Sequence, residues 1–156
     1  MFKGCWSLTT VSTLPATILT RQCYYGMFEN CTSLTTTPTL SAPIATEGCY
    51  REMFKGCTNL TSASALPATI IAKECYREMF KGCTNLTSIT STLPATTLAE
   101  GCYRSMFENC YKITSAPATL PATTLTNYCY AAMFKSCRLL TIAPALPATN
   151  LANYCY

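Results

Sequence analysis

Twelve cysteines carry most of the chemistry this sequence offers, and they fall at two fixed phases. Cys23, Cys49, Cys75, Cys102, Cys129 and Cys155 each precede a tyrosine. Cys5, Cys31, Cys57, Cys83, Cys110 and Cys137 follow a Met-Phe pair. An even count at that density points to an oxidising compartment and a disulfide framework. The alternative is a column of free buried thiols acting as small hydrophobes. Zinc is disfavoured, because no C-x2-C pair and no histidine occurs. The chain also has no aspartate. Without His or Asp, imidazole acid–base catalysis, Asp-based calcium loops and the common nucleophilic triads are excluded. No metal, cofactor or catalytic residue is expected.

The hydroxyls are as regular as the thiols. Thr9, Thr35, Thr61, Thr87, Thr114 and Thr141 each follow a Leu or Ile three residues past a cysteine. Stacked one per repeat, they would form a ladder. Strand propensity and contacts between neighbours account for such a row; a sharper reading is a flat hydroxyl array for a glycan or for ice.

The elements that hold these residues repeat. CYREMFKGC occurs at Cys49 to Cys57 and again, unchanged, at Cys75 to Cys83. Near-copies run from Cys23, Cys102 and Cys129. Repeats start near Met1, Met27, Met53, Met79, Met106 and Met133, at spacings of 26, 26, 26, 27 and 27 residues. Self-similarity at that period marks a solenoid or array, and residues 1–156 read as a single one. Within a repeat, LTSASAL (Leu60 to Leu66) is short, uncharged and closed by Pro67, which reads as a strand and a turn. In Ile71 to Phe80, the apolar residues Ile71, Cys75, Met79 and then Cys83 recur at steps of four, which predicts a short helix. One repeat is too small to bury its own stripe, so neighbours must stack, at about 4.8 Å per coil.

F-x-x-C-x-x-L, as in Phe54, Cys57 and Leu60 and in Phe80, Cys83 and Leu86, resembles the BspA-like leucine-rich repeat of bacterial surface proteins. The resemblance covers every repeat. It implies a right-handed α/β solenoid of about six strand–turn–short-helix coils. Inward positions would be Leu60, Ala63 and Ala65, and Leu86, Ile89 and Ser91. It further implies an extracellular or cell-surface, non-enzymatic scaffold for adhesion and protein–protein binding.

Two cysteine pairings fit the phases. Across C-x7-C, a helix would separate the Cα atoms by about 12 Å, beyond the reach of a disulfide. Joining each second Cys to the next first Cys gives Cys5–Cys23, Cys31–Cys49, Cys57–Cys75, Cys83–Cys102, Cys110–Cys129 and Cys137–Cys155, with no orphan. That pairing is the expected one, with about 3 kcal/mol from each loop on the chain-entropy account.

Charge makes up only 12% of the chain, with a net +4. Of the eighteen charged residues, all but Lys112 and Arg138 lie between the residues just before CY and the second Cys. Nucleic acid would need cationic rows with aromatic platforms on the strand side, and none occurs. No apolar run reaches membrane-spanning length. Polar caps, which solenoids use to close their ends, are absent from both ends of the sequence. Two expectations follow: a window of a longer surface array, or copies stacking head to tail as a self-assembling extracellular filament. The expected partners are accordingly other proteins, or copies of the chain end to end.

Overall fold

The computed structural model describes residues 1–89 and 92–156. Its repeats lie on one another as coils, each residue above its equivalent in the neighbouring repeat. A single core runs through the stack. Phe28, Phe54, Phe80 and Phe107, Tyr50, Tyr76 and Tyr103, Met53, Met79 and Met106, and Leu34, Leu60 and Leu86 are all buried in it.

The CYxxMFxxC segment is not a helix, which corrects the expectation from its spacing. Among the described residues there is no helix. Instead the chain makes a ribbon of successive β-turns. In the third coil, the N–H groups of Cys75, Arg77, Met79, Lys81 and Cys83 bond back to the carbonyls three residues earlier, at 3.1–3.3 Å. The residues between them do something different. The N–H groups of Glu74, Tyr76, Glu78, Phe80 and Gly82 donate to Glu100, Cys102, Arg104, Met106 and Glu108 in the next coil, at 2.8–3.0 Å. Every other amide therefore holds the turn, and the rest hold the coils together.

The step of four that suggests a helix explains the ribbon better. A residue set at steps of four walks off an α-helical face by about 40° per step, or about 120° from Ile71 to Cys83. Two consecutive turns advance four residues with no drift. The backbone shows the same period: Glu74, Glu78 and Gly82 have φ of 53°, 54° and 77°. Each is the third residue of its turn, where a type II turn requires positive φ. Ile71, Cys75, Met79 and Cys83 do face the core as their spacing requires.

The opposite wall is looser. LTSASAL forms no strand; its pairing is two isolated parallel bridges at Ser62, to Thr36 in one neighbouring coil and to Ser88 in the other. The named strands lie past the proline: β1 (Ile44–Ala45) pairs in parallel with β2 (Ile70–Ile71), Ile44 opposite Ile70. Proline gives no N–H to a ladder, so regular pairing resumes only beyond Pro43 and Pro67. Leu60 and Leu86 are buried as expected, and Ala63 and Ile89 partly so. Ala65 is exposed, because the chain turns there and the next inward residue is Leu66, 3% exposed. Ser91 lies outside the described residues.

Candidate functional site

The repeated residues form columns along the stack, and the inner columns serve cohesion. Phe2, Phe28, Phe54, Phe80, Phe107 and Phe134 stack ring on ring at 5.5–5.7 Å. Tyr24, Tyr50, Tyr76, Tyr103, Tyr130 and Tyr156 form a parallel pile at 5.5–6.1 Å. The tyrosine row is thus a packing element. Among the described residues, the Tyr76, Tyr103 and Tyr130 hydroxyls find no hydrogen-bond partner, and burial pushes all three phenols up.

The cysteines make two further columns, with all twelve thiols unpaired. Those following Met-Phe have a defined partner. Cys31, Cys57, Cys83, Cys110 and Cys137 each donate Sγ–H to a Phe carbonyl of the preceding coil, from Phe2 to Phe107, at 3.0–3.2 Å. In the other column, Cys102 and Cys129 direct longer contacts at the carbonyls of Cys129 and Cys155, at 4.0 and 3.6 Å. Burial pushes the Cys49, Cys57 and Cys102 thiols up to about 12, and Cys75 and Cys83 well above the usual range. Such thiols stay protonated at neutral pH and are poor nucleophiles. Cys5 and Cys23 are exposed. Among the described residues, no group of three His, Cys, Asp or Glu could hold a metal ion. Nor is any helix there long and apolar enough to cross a membrane.

The outer columns differ. On the ribbon's solvent side, ion pairs run diagonally between coils: Lys55 with Glu78 at 2.8 Å, Arg51 with Glu74 at 2.8 Å and Lys81 with Glu108 at 3.0 Å. Burial alone would raise the Glu78 carboxyl; the hydrogen bond and charge of Lys55, with Lys81 and Arg77, reverse this and hold it below the usual carboxylate range. Both signs alternate, which suits a solvated face.

Part of the threonine row is joined from coil to coil. Thr9, Thr35, Thr61, Thr87, Thr114 and Thr141 are all exposed. The Oγ1–H groups of Thr35, Thr61 and Thr87 donate to the carbonyls of Thr9, Thr35 and Thr61, at 3.2–3.4 Å. In those three coils the hydroxyl proton is turned along the stack.

One outward column escapes a reading of the sequence by its most regular letters. The residue after LPAT, or its equivalent, is Ile18, Ile44 and Ile70 in the first three coils and Thr97, Thr124 and Asn150 in the last three. All six are exposed. The signal that would have exposed it is the variable position next to LPAT, read down the repeats.

A family model for the BspA type leucine rich repeat region matches six copies over residues 1–156. The chain belongs to the BspA-type leucine-rich repeat family. No curated protein matches it. Among solved structures, a leucine-rich repeat protein from Bacteroides ovatus is similar, at 23% identity and a TM-score of 0.41. The match covers 88% of this chain and 37% of that one, so this BspA-type segment spans well under half the length of its structural neighbour.

Proposed function

We propose that this solenoid is a non-enzymatic scaffold on the outside of a bacterial cell, where it binds other proteins in adhesion. One observation carries the reading. The repeating residues lie in columns that join coil to coil, while the position after LPAT varies on the surface from Ile18 to Asn150. A fixed stack displaying variable side chains is suited to recognition rather than to chemistry, which needs a unique cluster of perturbed groups. The extracellular setting is the one in which the staples Cys5–Cys23 through Cys137–Cys155 would form. Cells displaying the chain should adhere to a protein-coated surface more than cells displaying an Ile18→Asn, Ile44→Asn, Ile70→Asn variant. Equal adhesion would remove the reading. Alkylation of the unfolded native protein tests the setting: thiols that react only after reduction support the staples, and twelve that react without reductant exclude them.

The polarity of the ribbon's hydrogen bonds favours a second reading, a subunit of a head-to-tail filament. Every other ribbon amide points its N–H toward the following coil, as Tyr130 does to Cys155 at 2.8 Å. One end coil therefore offers donors and the other acceptors. The Phe and Tyr columns run from Phe2 to Phe134 and from Tyr24 to Tyr156. A further coil of the same pattern, from the same chain or a second copy, is the complement of either end. Electron microscopy of the native material separates the readings. Rods with an axial step of about six coils, roughly 30 Å, support the filament, and discrete particles exclude it.

A further inference from the structure

The two cysteine columns stand at opposite ends of the ribbon, and a column of methionines stands between them. Cys49, Met53 and Cys57 are buried in order along one ribbon, and Cys75, Met79 and Cys83 along the next. Two consecutive turns separate each cysteine from the methionine. A bond from Cys57 to Cys75, as the spacing in the sequence suggests, would leave one end of its ribbon, pass the Met53 and Met79 side chains and reach the far end of the next ribbon. A Cys75–Cys83 bond would span a whole ribbon.

Neighbouring coils instead place each cysteine beside its own equivalent. The Tyr50 N–H donates to the Cys75 carbonyl at 3.0 Å, Tyr76 to Cys102 at 2.9 Å and Tyr103 to Cys129 at 2.9 Å. Those bonds set Cys49, Cys75, Cys102 and Cys129 one above another at a spacing of about 4.8 Å, inside the Cα range of about 4.4–6.8 Å that a disulfide spans. The other column is held alike, by Phe54 to Met79 at 2.9 Å and Gly56 to Lys81 at 2.8 Å. Its sulfurs already lean toward the preceding coil. Cys83 Sγ lies 3.1 Å from the Phe54 carbonyl oxygen and Cys137 Sγ 3.2 Å from that of Phe107, three residues before Cys57 and Cys110. Burial raises the Cys83 thiol most, followed by the charge of Cys110 and of Cys57. Burial, then Cys102 and Cys49, do the same to Cys75. Each of these thiols senses its column neighbours on both sides.

We infer that, when oxidised, the thiols pair straight down their own columns: Cys5–Cys31, Cys57–Cys83 and Cys110–Cys137 in one, Cys23–Cys49, Cys75–Cys102 and Cys129–Cys155 in the other. Of the two frames each column allows, this one uses all twelve thiols. It redraws the staples of the proposed extracellular setting, and it rests on that setting for an oxidant. Successive ribbons are joined alternately at one end and the other, and the methionine column is left in place. The oxidant is a small disulfide such as oxidised glutathione. One thiol gives up its proton and attacks it, releasing one glutathione and leaving a mixed disulfide. The thiol of the neighbouring coil attacks that bond and releases the second glutathione. Two thiols thus lose two protons and two electrons, and one oxidised glutathione becomes two reduced ones. Thiols buried in the finished stack stay protonated, so the bonds close while coils are still adding to one another.

The test reduces and unfolds the full chain, then refolds it in a mixture of oxidised and reduced glutathione. Free thiols are alkylated, and the protein is cut with trypsin without reduction. Cleavage after Arg104, Lys112, Lys135 and Arg138 puts Cys110, Cys129, Cys137 and Cys155 on separate peptides. The Cys110 peptide should be joined to that of Cys137, and the Cys129 peptide to that of Cys155. Cys137→Ser should free Cys110 and leave Cys129–Cys155 closed. The pairing suggested by spacing would instead free Cys155 and keep Cys110 bonded to Cys129. Cys110 joined to any cysteine other than Cys137, or alkylated after refolding, overturns the inference. Alkylation of the native protein reports on the setting alone, so a failure of the setting and a failure of the pairing are read apart.

Discussion

The ribbon wall and the strand wall are made by the same repeat, yet they do opposite work. In the ribbon, five amides of the third coil bond to the next coil, and the Phe, Tyr and Cys columns lie directly behind them. Across the strand wall, LTSASAL makes two isolated bridges, both at Ser62, with scattered bonds such as the Ala63 N–H to the Ser88 carbonyl at 3.1 Å, and β1 and β2 are two residues each. Ring stacks, buried thiols and half the ribbon amides all cross the coil boundary on one side. The opposite side is therefore free to vary, and it does, from Ile18 to Asn150. Cohesion on one wall is what permits display on the other.

That contrast breaks most completely at alkaline pH. Burial raises the ribbon thiols, Cys49, Cys57 and Cys102 to about 12, above an unfolded value of about 8.5. Between these values the unfolded chain loses protons that the folded chain keeps, so stability falls as pH rises. The contribution is fully present below about pH 8.5. Above it, each such thiol costs about 1.4 kcal/mol per pH unit until its folded pKa is reached. In reductant, unfolding followed by circular dichroism should need progressively less urea from about pH 8.5 upward. A flat profile would mean that the thiols are not buried as free groups.

A single column residue gives the next largest effect. Phe80 is stacked between Phe54 and Phe107 and is 1% exposed. Phe80→Ala should cost about 3–5 kcal/mol in urea unfolding, more than any one substitution on the strand wall. A loss under about 1 kcal/mol would show that the column is filled without being needed.

Turn geometry is a finer test of the ribbon. Gly82 has φ of 77°, and an added Cβ would meet nothing nearer than backbone atoms of Gly56 at 3.8 Å. Gly82→Ala therefore isolates backbone strain from collision and should cost about 1–2 kcal/mol. No loss would remove the turn ribbon and revive a helix, in which alanine is favoured over glycine.

Much of this was legible before any coordinates. Spacing of the Met-Phe pairs gives the coils and their register, and Leu60, Met79, Cys83 and Phe80 are core residues as their recurrence requires. The helix was misread because Ile71, Cys75, Met79 and Cys83 satisfy a loose helical stripe and a strict four-residue ribbon alike. Only the absence of drift separates the two, together with Gly56 and Gly82 closing the ribbon in successive coils. Ala65 is exposed although the family resemblance implies an inward position, because the chain turns there and Leu66 takes the inward place.

The smallest expected effect lies on the strand wall. Thr61 donates Oγ1–H to the Thr35 carbonyl at 3.2 Å and is exposed. Thr61→Val keeps the β-branched shape and removes that one bond. Water can satisfy the carbonyl on an exposed surface, so the loss should stay near the lower end of a hydrogen bond's net contribution, about 0.5 kcal/mol. Valine's strand preference offsets part of even that. A loss approaching that of Phe80→Ala would place cohesion on both walls. The contrast would then fail, because a wall needed to hold the coils together could not vary freely from Ile18 to Asn150.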